Sequence, residues 1–172
     1  MNLQNLDQVR EEMVSEINND IKNEKLYISE RLNQRGQMEY PKILLESAKS
    51  KNINYFIQSL GIHYFNTHFI RRKPKGGYSR VVMPKNANAS LCEGEFNRFY
   101  IRGVCLKAIS SGQRYVTAYR ARYSNNPRLE SLLIEGKQFD AEKLLKDLRM
   151  YIGVDTSLGL PPGPNSGMSV KI

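Results

Sequence analysis

Tryptophan is absent from the 172 residues, and histidine and cysteine occur twice each. Cys92 and Cys105 stand thirteen apart, with no CxxC pair and no matching pair of histidines. That pattern argues against a zinc site and predicts two buried thiols in a reducing compartment. His63 and His68 are five apart, which on a strand sends them to opposite faces. No Asp, Glu or Cys stands close to either in sequence to complete a metal site. No apolar run approaches the roughly 20 residues that a membrane-spanning helix needs, so no membrane partner is expected. The opening stretch MNLQNLDQVREEM is polar and acidic, unlike a secretory leader. A GxxxxGKS/T phosphate loop, a GxGxxG turn after a strand and a GxSxG elbow are all missing. GLPPGPNSG is rich in glycine, but its prolines remove the amides that a phosphate cradle requires. No cofactor is expected.

Acidic residues are scarce where basic ones crowd. Residues 61–122 hold twelve Lys and Arg against two Glu, Glu93 and Glu95, a local charge of +10. The remainder of the chain sums to −1, so the whole excess of +9 lies in this central third. Twelve of the sixteen Phe and Tyr also fall between Tyr55 and Tyr123. Cations interleaved with aromatics are what nucleic-acid surfaces use, since phosphates need charge and bases stack on rings. The same pattern suits a small β-core with a solvated positive face. HFIRRKPKGGYSRVVMPK, residues 68–85, is the sharpest example, with six Lys and Arg and no acid.

The periodicity predicts an α+β protein in three parts. Residues 1–61 form a helical N-terminal region, 62–153 an α+β core of a small antiparallel sheet with packed helices, and 154–172 an extended Pro/Gly-rich tail. Leu3, Leu6, Met13, Ile17, Ile21, Ile28 and Leu32 recur at helical spacing. They predict one helix over 3–33, capped at its C-terminus by Gly36. A stripe so narrow needs either its own domain or a partner subunit to cover it. Pro41 is suited to a first helical position, and KSKNIN separates that helix from a shorter one closed by Gly61.

IHYFNTHFIRR and YSRVVMP then predict a hairpin around KPKGG, with His63, Phe65 and Thr67 on one face of its first strand. Ser90 and Glu93 match a capping box opening a helix lined by Phe96, Phe99, Tyr100, Gly103, Leu106 and Ile109. Gly103 inside that helix costs about 1 kcal/mol relative to Ala, so a close neighbour is expected there. RYVTAYRARY reads as a strand, with Val116, Ala118, Arg120 and Arg122 on one face. Pro127 opens a short helical turn through Leu133. Asp140 caps a last helix whose inner face is Leu144, Leu145, Leu148 and Ile152. The tail ends in MSVKI, a short strand that would add to a neighbouring sheet if ordered.

No constellation carries chemistry. Metal-dependent nucleases gather carboxylates around divalent ions, yet Glu93 and Glu95 are two apart and face different sides of a helix. The remaining candidate is a basic surface for nucleic acid or another anion. It comprises Arg71, Arg72, Lys73, Lys75, Arg80, Arg98, Arg102, Arg120 and Arg122, with Lys85, Lys107 and Arg114 beside them. Arg98 and Arg102 share one helical face, and Arg120 and Arg122 one strand face. Acidic protein surfaces suit such groups as well as phosphates do.

In EGEFNRFYIRGVCLKAI, YRARYSNNPRLES and LGLPPGPNSGMSVKI the chain resembles small bacteriophage and prophage proteins that have no agreed enzymatic role. The resemblance covers roughly the second half and transfers no site residues. It implies a phage setting: a non-enzymatic structural subunit of the particle, at the head, neck or connector. Its partners would be other virion subunits in a homo-oligomeric ring or shell, and packaged DNA. Its place would be the virion, and the host cytoplasm during assembly. The alternatives are a phage-encoded nucleic-acid-binding or regulatory protein and a divergent nuclease.

Overall fold

A computed structural model describes residues 1–151 and 166–172. Helix α1 spans Arg10–Lys22, α2 Gln34–Ser50, α3 Ile53–Ser59, α4 Ala87–Ser110, α5 Leu129–Ile134 and α6 Ala141–Met150. Strands β1, His68–Arg72, and β2, Tyr78–Val82, form a two-stranded antiparallel ribbon. Strands β3, Tyr115–Arg120, β4, Gln138–Asp140, and β5, Met168–Lys171, form a separate antiparallel sheet in the order β4–β3–β5. The class is α+β.

Helix α4 is the centre of the molecule. Fourteen of its 24 residues are buried, so no side of it faces water along its length. Phe96, Phe99, Tyr100, Ile101 and Val104 all lie in the core. Helices α1, α3 and α6 and strand β5 pack around it. The glycine inside α4 has the neighbour its cost implies. A Cβ at Gly103 would lie 3.1 Å from the Val9 carbonyl and 3.2 Å from the Met13 amide, so α1 crosses against bare backbone. Cys92 and Cys105 are buried free thiols, as expected, and burial raises both of their pKa values.

Polar ends are capped where the sequence carries the right residue. Asn33 accepts from the Gly36 amide at 2.8 Å, Asn52 from the Tyr55 amide at 3.0 Å, and Asp140 from the Lys143 amide at 3.1 Å. In β3, Val116 and Ala118 face the core while Tyr115, Thr117 and Tyr119 face outward, the predicted alternation. Gln138–Asp140 supplies an edge strand before α6 that periodicity did not mark.

Several expectations are corrected. The stripe over 3–33 is not one helix. Residues Leu6–Gln8 make a short 3-10 turn, α1 stops at Lys22, and Glu24 adopts a left-handed φ of 55°. There the Asp20 carbonyl accepts from the amides of Lys25 and Leu26, a helix-ending turn. The chain then runs extended, so that Leu32 bridges Phe65. Helical spacing persists across this reversal because both pieces bury their apolar residues in the same core. Gly36 is not a C-terminal cap but an early residue of α2, where a Cβ would lie 2.3 Å from the Tyr64 carbonyl. Pro41 lies inside α2 rather than opening it. Ser90 opens no capping box, because α4 starts a turn earlier at Ala87. Residues 62–64 are a 3-10 turn, so His63, Phe65 and Thr67 share no strand face.

MSVKI does form a strand, but it pairs with β3 of its own chain rather than with a neighbouring sheet. Met168, Ser169 and Val170 are buried, and the Asn97 amide of α4 donates to the Met168 carbonyl at 2.8 Å. Residues 154–165 of the expected tail and Ile152 lie outside the described residues, which omit 152–165.

A buried ion cluster ties α1, α4 and α6 together. Arg102 is fully buried and bidentate to Asp20, with bonds of 2.6 and 2.8 Å, and its Nε donates to Glu16 at 2.6 Å. Arg149 of α6 donates to both oxygens of Glu16. Burial pushes the Glu16 carboxyl up, but the bonds and charges of Arg149 and Arg102 outweigh it, and its pKa is lowered.

Arg102→Leu leaves the buried Asp20 carboxylate without its counter-charge and Glu16 with Arg149 alone, and costs about 3–5 kcal/mol in urea unfolding. Adding Glu16→Leu and Asp20→Leu to it recovers most of that loss, since burying apolar groups of similar volume is nearly neutral. Because the pKa of Glu16 is depressed on folding, its contribution is present above its unfolded value and is lost as pH falls through the folded value. Unfolding curves of wild type and Glu16→Gln, well separated at neutral pH, therefore converge in acid.

Candidate functional site

The β1–β2 ribbon is built from a fixed root outward. At the root, Phe65 is buried against Leu32. The Asn66 amide donates to the Arg31 carbonyl at 2.9 Å, and its side chain reaches the Glu30 and Leu32 carbonyls at 3.2 Å. The Met83 amide closes the ribbon on the Thr67 carbonyl at 2.8 Å. Arg31 lies over the Phe69 ring, 4.4 Å from its centroid, a contact that orders both groups.

Register decides what each face carries. His68 pairs with Val82, Ile70 with Arg80 and Arg72 with Tyr78. These six residues share the outer face. Phe69 pairs with Val81 and Arg71 with Ser79 on the other face. The outer face is bare, with Ile70 65%, Val82 68% and Tyr78 71% exposed. At the tip the Lys73 amide donates to the Gly77 carbonyl at 2.9 Å. Gly76 and Gly77 have φ of 90° and 78°, values that suit glycine. Nothing lies within 4 Å of the space a Cβ would fill at either, so the tip is thin.

The twelve cations of the central region divide evenly. Arg71, Arg72, Lys73, Lys75, Arg80 and Lys85 are exposed on the ribbon and its root, and none forms an ion pair among the described residues. No Asp or Glu occurs between His68 and Cys92 to neutralise them. The other six all meet carboxylates. Arg102 binds Glu16 and Asp20, and Arg122 binds Glu93. Arg120 meets Glu135 at 3.0 Å, Lys107 meets Glu12 at 3.2 Å, and Arg114 meets Asp140 at 3.2 Å. Arg98 is buried 3.8 Å from Glu95 and donates to the Tyr151 carbonyl.

This corrects the sequence expectation for part of the basic surface. Arg98 and Arg102 do share a helical side, but α4 is buried there, and Arg102 has no exposed surface with which to meet a partner. Arg120 and Arg122 sit at the β3 end, already paired with acids of this chain. Arg71, Arg72, Lys73, Lys75 and Arg80 are brought together. Sequence reading missed the outer-face set of Ile70, Tyr78 and Val82. The signal was available in the register of the two strands about KPKGG, which aligns all three with Arg72 and Arg80.

The two acids of the region do not converge. Glu93 is engaged by Arg122, and Glu95 is buried in α4, its pKa raised chiefly by loss of water. His63 stacks against Tyr64, and His68 touches Thr67 on the ribbon. Among the described residues, no three His, Cys, Asp or Glu side chains are grouped to hold a metal ion. No helix among them is long and apolar enough to cross a membrane. A scan against protein-family models, a search of curated proteins and a search of solved structures each return no match.

Because the ribbon cations are exposed and form no ion pair among the described residues, replacing them leaves the fold intact. A variant carrying Arg71→Ser, Arg72→Ser and Lys73→Ser keeps its unfolding free energy to within about 0.5 kcal/mol per site, read by urea titration. Gly77→Val at the left-handed tip distorts the ribbon instead, and speeds amide exchange of β1 and β2 while that of α4 is unchanged.

Proposed function

We propose that this chain is a non-enzymatic structural subunit of a bacteriophage particle that works by docking, with its basic ribbon turned toward an anionic surface, either packaged DNA or an acidic partner. One observation carries the reading. Six cations on the ribbon and its root are left without counter-charge among the described residues, while six neighbours in sequence are neutralised internally. Uncompensated charge on a projecting element is the arrangement that steers and registers a partner. The phage setting is supported by the resemblance in residues 93–109, 119–131 and 158–172.

A second bare surface supports subunit assembly over a lone regulatory protein. Leu129, Leu132 and Leu133 of α5 are exposed and share one side of the helix. Exposed apolar patches mark protein contacts. A groove of about 610 Å³ between α4 and α6 is lined by Leu106, Ile109, Leu145 and Met150, with Lys25, Lys146, Arg149 and Glu142 as its charged residues. The exposed leucines of α5 are the apolar complement of that groove. Knob and groove on one chain make a head-to-tail contact between copies, which closes into a ring when the rotation allows.

Mass spectrometry of purified particles tests the setting: the chain is expected as a stoichiometric component, and its absence from particles sinks the assignment. Leu132→Asp with Leu133→Asp is expected to reduce the sedimenting species to a monomer, as is Lys146→Glu with Lys25→Glu. The ribbon reading is tested on immobilised heparin. The Arg71, Arg72, Lys73 triple variant elutes at clearly lower salt than wild type; equal elution overturns it.

A further inference from the structure

We propose that the β1–β2 ribbon enters the major groove of duplex DNA, with its outer face toward the base edges and its flanking cations on the phosphates of both walls. This rests on reading the ribbon as the docking surface, and it selects one class of partner. The selection comes from how the charges are arranged around the ribbon. Arg72 and Arg80 lie on the outer face, Arg71 on the opposite face, Lys73 and Lys75 at the tip, and Lys85 just beyond the root. A flat acidic protein surface answers charges on one side only. A groove has anionic walls on two sides, so it answers cations placed around the whole circumference.

The dimensions agree. Paired strands lie about 5 Å apart, and a major groove about 12 Å wide admits a two-stranded ribbon. Five residues per strand extend the ribbon by about 17 Å at about 3.3 Å per residue. The tip that must lead carries two glycines with open space around them, so neither adds a side chain there. The outer face offers what base edges take. Arg72 and Arg80 can donate to guanine acceptors, and Ile70 and Val82 suit thymine methyl groups. Tyr78 adds an apolar ring with a hydroxyl donor. Because the root is held by the Leu32–Phe65 bridge and by Asn66, the ribbon arrives already aimed.

The test measures the full chain on a labelled 20-base-pair duplex by fluorescence anisotropy, from 50 to 200 mM NaCl. Four phosphate contacts, from Arg71, Lys73, Lys75 and Lys85, predict a log–log salt slope of about −4 at about 0.9 per contact. The Arg71, Arg72, Lys73 triple variant loses two of these contacts and is expected to flatten that slope by about 2 on the same constant. Tyr78→Ala is expected to weaken binding several-fold at an unchanged slope, because it removes no charge. Dimethyl sulfate is expected to be excluded from guanine N7, which lines the major groove. Protection confined to adenine N3, in the minor groove, overturns the placement. Long-chain polyglutamate separates the inference from the reading beneath it. If polyglutamate binds as tightly as the duplex and the triple variant weakens both equally, the ribbon docks but not on DNA. If the triple variant weakens neither, the ribbon is not the docking surface. Circular dichroism of each variant confirms that the helices remain, so a lost signal is not unfolding.

Discussion

Arg102 is the residue on which the arrangement of helices depends. Its guanidinium has no exposure, and its donors are spent on Glu16 and Asp20 of α1. A charge in that position has no alternative to those partners, since water does not reach it. Arg149 supplies the second positive charge, so two carboxylates meet two guanidinium groups and the cluster is neutral. The cluster therefore sets the register of α1 and α6 against α4. Packing alone specifies such a register weakly, because one apolar ridge slides past another at modest cost. Gly103 stands beside Arg102 in α4 and lets α1 come close enough for the bonds to form.

The same need for neutralisation explains the shape of the outer surface. Acids from α1, from the start of α4 and from the β3–β4 connection are consumed by arginines and lysines of the body. None is placed to reach the ribbon. The ribbon thus keeps its charge because none of its cations meets a carboxylate among the described residues, and its two-stranded form leaves the outer face open. An isolated hairpin of this size is marginal in water. Here the root is anchored on residues 30–33, which gives the two strands the support they need.

Much of the architecture was legible before the structure. Asp140 opens α6, Val116 and Ala118 turn inward, Gly103 marks a close crossing, and KPKGG divides two strands. Each of these is a local signal: a cap, an alternation, a missing side chain, a turn. The failures share a cause. The stripe over residues 3–33 kept helical spacing across a chain reversal, because Leu26, Ile28 and Leu32 pack into the same core that α1 faces. Gly36 and Pro41 carry terminus signals, yet they sit inside α2, where Asn33 provides the cap and the Tyr64 carbonyl occupies the space beside Gly36.

The candidate site divides along the same line. Composition alone determined that the central third is basic and aromatic, that Arg71 to Arg80 flank a glycine turn, and that no acid lies among them. Which arginines are spent and which remain available was decided only by tertiary structure. Arg102 meets Glu16 across 86 residues of sequence, and Asp20 across 82. Counter-charges pair by distance in space, and local sequence patterns carry no record of a carboxylate that folding brings from so far along the chain.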